Sequence, residues 1–132
     1  PQNLVSVSAL MGGFVKTTEL LQGMQVRKGE IIATIQNPDF IQIQQDYLDN
    51  KSKLIFAEQE YKRQEELAKE NVASQKILQQ ITSEYNSLKA IHSGLLEKLA
   101  MLGIDSTTIE KGIIKSTVSI VSPINGFVTS VN

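Results

Sequence analysis

Cysteine is absent, which excludes disulfides and thiolate metal sites within these 132 residues without choosing a compartment. Tryptophan is absent too, and aromatic residues make up only 5% of the chain. With a hydrophobic share of 41%, that favours an elongated shape with a thin core over a compact ball. Charge of one sign is also lacking: 13 Lys and Arg face 14 Asp and Glu, a net charge of −1. Neither nucleic acid nor an anionic lipid surface is implied by that balance. No run approaches the ~20 apolar residues of a membrane-spanning helix, and no signal peptide is visible. The chain starts abruptly at Pro1 and stops at Asn132 in a strand-like run, which reads as a piece excised from a longer protein. Motifs of nucleophilic, phosphate-binding or metal chemistry are missing, so the chain is not expected to be an enzyme or to carry a cofactor.

What is present is a repeat. Val5-Ser6-Val7-Ser8-Ala9-Leu10-Met11-Gly12-Gly13-Phe14-Val15 aligns without a gap on Val118-Ser119-Ile120-Val121-Ser122-Pro123-Ile124-Asn125-Gly126-Phe127-Val128. Each copy reads as strand, small-residue turn, strand. Around the first copy, Leu4–Val7, Phe14–Thr17 and Ile31–Ile35 have strand character, and Gly23 and Gly29 frame a very short strand at Val26. Ile113 to Val121 returns to β-type residues near the second copy.

Between the copies lies a helical stretch. Asn37-Pro38-Asp39 has an N-cap residue, a proline suited to the first helical position and an acid for the positive dipole end. Phe40, Tyr47, Leu54, Tyr61 and Ala68 then recur every seven residues, with Ile41, Leu48 and Ile55 beside them. Residues 70–74 read as a turn, with Ser74 as the N-cap of a second helix. There Leu78, Ile81, Tyr85, Leu88, His92, Leu95, Leu99 and Leu102 alternate in steps of three and four. Leu102-Gly103-Ile104 has the form of a Schellman stop, and residues 105–112 suit one more helical turn ended by Gly112. Two heptad helices joined by a short turn predict an antiparallel coiled-coil hairpin whose first arm is roughly 50 Å long. Glu58–Lys62 and Glu65–Lys69 have the spacing of helical ion pairs.

The run Gly13-Phe14-Val15, then Gly23-x-x-Val26-x-x-Gly29-Glu30-x-x-Ala33-x-Ile35, resembles the first half of a lipoyl/biotinyl-type domain, and Ser122 to Val128 resembles the opening of its second half. Carriers of that fold present a modifiable Lys between the halves; here Gln36-Asn37-Pro38-Asp39 stands there instead. The expected class is α+β: a lipoyl-like β-sandwich in two separated halves, residues 1–36 and 113–132, interrupted by a coiled-coil hairpin over 37–104 and a connector over 105–112. The repeat offset projects a further Gly-x-x-Val-x-x-Gly-like run beyond Asn132.

A split lipoyl domain with an inserted hairpin is similar to the periplasmic adaptors, the HlyD-like membrane fusion proteins of RND-type efflux pumps. Leu102-Gly103-Ile104 and Asn37-Pro38-Asp39 resemble the heavy-metal or cation branch. The resemblance implies a periplasmic adaptor anchored to the inner membrane through a segment outside this chain. Its partners would be an inner-membrane RND-type transporter, an outer-membrane channel and copies of itself in a ring of six. It also implies that Arg63, Leu67 and Ser74 at the hairpin tip bind the channel. A type I secretion adaptor, a lipoyl or biotinyl carrier and a plain self-assembling coiled coil are the competing readings. His92, the only histidine, fits a packing role on the seam, and Met11, Met24 and Met101 form no cluster for a soft metal.

Overall fold

The computed structural model of the chain describes residues 14–18, 21–71 and 74–128. Most of the first repeat copy, the strand expected at Leu4–Val7 and Met11 lie outside the described residues. Among the described residues the elements follow in the order β1 (Phe14–Thr18), β2 (Gln25–Val26), β3 (Ile31–Gln36), α1 (Pro38–Lys69), α2 (Gln75–Met101), α3 (Ser106–Glu110), β4 (Thr117–Val121) and β5 (Gly126–Phe127).

Helix ends form where local chemistry supplies partners for orphan backbone groups. Asn37 caps α1 by accepting from the Asp39 amide at 2.9 Å, with Pro38 directly behind it. Ser74 caps α2 by accepting from the amides of Lys76 and Ile77. The α2 terminus is a complete Schellman motif: Gly103 takes φ +72°, its N–H donates to Ala100 O, and the Ile104 N–H donates to Leu99 O. Leu99 and Ile104 meet in the core as that motif requires. α1 stops at Lys69 because Asn71 adopts φ +59° and donates from its amide to the Ala68 carbonyl.

α1 and α2 form the long antiparallel hairpin that the heptads predict. Every expected seam position of α2 faces inward, with Leu95, Leu99 and Leu102 buried and Leu78, Ile81, Tyr85, Leu88 and His92 half-buried. On α1 the first row is as expected and Leu48 of the companion row packs against the core, but the fully buried companion row is another. Ile55 is exposed, and Ile43, Asn50 and Ala57 are buried instead. These three lie three residues after Phe40, Tyr47 and Leu54, which completes the alternating 3–4 spacing of a coiled-coil seam. A count of large apolar residues passes over a row containing an asparagine and an alanine.

The strands pair across the insertion. Sheet order is β1-β3-β4, all antiparallel, and β2 pairs antiparallel with β5. Thus β3 meets β4 from Ile31↔Val121 to Gln36↔Thr117, and Val26 meets Gly126. Further main-chain bonds stitch the two sides, including Gly29 N to Ser122 O at 2.8 Å and Val128 N to Met24 O at 2.8 Å. The core lies where the hairpin root meets the sheet: Ile35, Phe40, Ile43, Tyr47, Leu95, Leu99, Leu102, Ile104 and Ile109 form one buried cluster, with Leu48, Val118 and Ile120 packed against it. The molecule is a helical hairpin rooted in small antiparallel sheets.

Candidate functional site

The three residues singled out at the tip occupy the last turns of α1 and the start of α2. Arg63 and Leu67 are one helical turn apart and therefore share a face of α1. Arg63 is exposed, and its Nη2 donates to Glu60 Oε2 at 2.7 Å, which leaves the rest of the guanidinium fork to solvent. Leu67 is half-buried, and Ser74 is exposed while its Oγ accepts from two amides of α2. The fold brings all three to the free end of the hairpin. The turn joining them includes Val72 and Ala73, outside the described residues.

Around them the acidic and basic side chains of α1 pair along their own helix. Lys62 bridges to Glu58 at 3.0 Å as its spacing predicts. The expected Glu65–Lys69 pair is replaced: Glu65 accepts from the Tyr61 hydroxyl at 2.9 Å, and Lys69 reaches Glu66 at 3.8 Å. The Tyr61 phenol, one turn away and stacked on Tyr85 with ring centroids 5.2 Å apart, holds Glu65 instead. That bond pushes the Tyr61 hydroxyl pKa up, and Glu58 does the same to Lys62.

The hairpin root carries a denser polar arrangement. Gln44 is fully buried, and its amide grips the backbone of Lys115: Oε1 accepts from Lys115 N at 2.9 Å and Nε2 donates to Lys115 O at 2.7 Å. Tyr47, also buried, donates its hydroxyl to Glu110 Oε1 at 2.7 Å, and Lys51 pairs with the same carboxylate oxygen. Lys51 first, then Tyr47, holds the Glu110 carboxyl below the usual carboxylate range. Burial, then Glu110, pushes the Tyr47 phenol up, and Glu110 raises Lys51. His92 stacks on Tyr47 with centroids 5.4 Å apart, which gives it the packing role expected from its seam position. Asn50 donates to Leu88 O at 3.3 Å. Asn50 Oδ1 and His92 Nδ1 are buried without a partner.

Sequence reasoning missed Gln44, Asn50 and Glu110. The first two carried a usable signal, polar side chains at seam-adjacent positions of a heptad helix. Glu110 carried none, because its partners lie about 60 residues away on another element. Among the described residues no three His, Cys, Asp or Glu side chains converge as a metal site, and no helix is long and apolar enough to cross a membrane.

A rooted helical hairpin between paired strands is the architecture of the membrane fusion proteins, the class that the sequence motifs resemble. Among solved structures, the chain is similar to ZneB from Cupriavidus metallidurans, at 25% identity and TM-score 0.54 over 91% of this chain and 35% of that one. It is similar in fold to a MacA–MexA chimera bearing the Pseudomonas aeruginosa MexA α-hairpin domain, at 22% identity and TM-score 0.58 over 92% of this chain and 37% of that one. The chain thus spans about a third of the length of each. No family model and no curated protein sequence matches it. The solved structures it resembles are membrane fusion adaptor proteins, which are non-catalytic.

Proposed function

We propose that this chain is the hairpin-bearing part of a periplasmic adaptor linking an inner-membrane RND-type transporter to an outer-membrane channel. The observation that carries the reading is the pairing of β3 with β4 and of β2 with β5 across an intact helical hairpin, in a chain alike to ZneB over nine-tenths of its length. In this reading residues 1–36 and 113–132 are the halves of one lipoyl-like sandwich, 37–104 the hairpin and 105–112 a connector. Both strand pairings support it. The junction Gln36-Asn37-Pro38 presents no lysine, which favours an adaptor over a lipoyl or biotinyl carrier. Adaptor copies assemble as a ring of six, the whole protein is anchored to the inner membrane through a segment outside this chain, and Leu102-Gly103-Ile104 favours the cation-efflux branch.

Arg63, Leu67 and Ser74 form the docking surface. Arg63 offers a planar fork of donors to main-chain carbonyls of the channel tip, Leu67 a half-exposed apolar knob and Ser74 a hydroxyl proton to donate. Photocrosslinkers placed at positions 63 and 74 of the full-length protein in its own cells are expected to capture an outer-membrane channel. Arg63→Glu with Leu67→Asp is expected to weaken that capture by about tenfold or more, while Arg63→Glu alone, at an exposed site, changes thermal stability little. Crosslinks to other copies of the adaptor alone would sink the docking assignment.

A further inference from the structure

Gln44, Tyr47 and Asn50 are buried at successive steps of three along the root of α1. Each reaches a different part of the chain. Gln44 grips the main chain of Lys115, Asn50 the main-chain carbonyl of Leu88, and Tyr47 the side chain of Glu110. Main-chain groups do not titrate, but a carboxylate does. That difference separates α3 from the other two attachments.

α3 is a little over one turn long and closes on itself through the Asp105 cap and the Gly112 turn. Its attachment to the hairpin includes Ile109, wholly buried in the core, Glu110, which meets Tyr47 and Lys51 at a site about one-third exposed, and the Ser106 hydroxyl, which also faces Tyr47 and does not titrate. We propose that α3 is an acid-opened latch on the hairpin root, closed by the Glu110 carboxylate on Tyr47 and Lys51 and loosened when that carboxylate is protonated, while the Gln44 clamp keeps Lys115 in place. The inference does not depend on what the hairpin tip binds.

The charged and titratable groups facing Glu110 are Lys51 and the Tyr47 phenol from α1 and His92 from α2, whose ring lies on Tyr47. A carboxyl whose folded pKa is depressed adds stability that is present above its ordinary pKa and lost as pH falls through the folded value. Protonated Glu110 still offers an oxygen to Tyr47, but the pairing with Lys51 is gone. Ile109 stays in the core, so the latch loosens without α3 leaving.

Amide hydrogen exchange on the full protein tests this. The Gly112 N–H bonds Ile109 O and the Ile113 N–H bonds Thr108 O, so both report on α3; the Lys115 N–H bonds Gln44 Oε1 and reports on the clamp. Between pH 7 and pH 3, protection corrected for intrinsic rates is expected to fall about three- to tenfold at Gly112 and Ile113, with Lys115 unchanged. Glu110→Gln should sit at the loosened level throughout and show no acid limb. Tyr47→Phe, which retains the ring on His92, should start looser and keep the limb through Lys51. Unchanged protection at Gly112 and Ile113, a loss in step with Lys115, or an acid limb surviving in Glu110→Gln overturns the latch.

Discussion

Gln44 shows how much one side chain can decide. Its amide satisfies both polar groups of a backbone position that no strand or helix pairs, and it does so from a fully buried site. Gln44→Leu would leave the N–H and C=O of Lys115 without partners. We expect a loss of about 2–4 kcal/mol in chemical denaturation, against a change within about 0.5 kcal/mol for Gln42→Leu on the exposed face of the same helix. Equal effects would mean that the clamp contributes nothing. In the sequence, Gln44 shows as a polar residue beside the seam, but the partner it grips, 71 positions away, is not legible there. Ser74 and Asn37 were legible for the opposite reason: a cap acts over two or three residues, within reach of the local sequence. The tip trio falls between these cases. Its residues are visible in the sequence and its location in the fold, while its role rests on resemblance.

Among the elements, the two helices were the most readable and the short strands the least. A seam of eight α2 residues in steps of three and four admits one inward face, and that face is the buried one. The first arm was half misread because Asn50 and Ala57 do not register as hydrophobic, although the geometry of the pair demands something at those positions. Burial along the seam is graded. Leu99 at the root is almost wholly buried, whereas Ile81 near the tip keeps partial exposure. Leu99→Ala should therefore cost about 3–4 kcal/mol and Ile81→Ala under about 2, read from denaturant midpoints at constant slope. Similar costs at both positions would show that the hairpin is held evenly along its length. Strands of two to six residues give no register from sequence alone, and the pairings of β3 with β4 and of β2 with β5 join residues on either side of the whole hairpin.

At the scale of the molecule, the buried cluster among the described residues belongs as much to the hairpin root as to the sheets. The sequence alternation announces two strand-rich regions and a helical insertion, and the repeat links the regions. That both halves contribute to both sheets emerges only from the pairing. This pairing orders events in time. Gln36 faces Thr117, so closing that ladder directly from an open chain confines a loop of about 80 residues, at roughly 4 kcal/mol of chain entropy. A formed hairpin holds the two feet together beforehand, and its contacts between α1 and α2 are local near the turn. The hairpin is thus expected to assemble before the sheet. Leu88→Ala should slow refolding, whereas Val118→Ala should chiefly speed unfolding, in stopped-flow measurements; the reverse pattern would place the sheet first. Because the N-terminal end comes first, β3 then waits with its β4 edge unpaired until about 80 more residues have followed, an interval in which a chaperone would find it open.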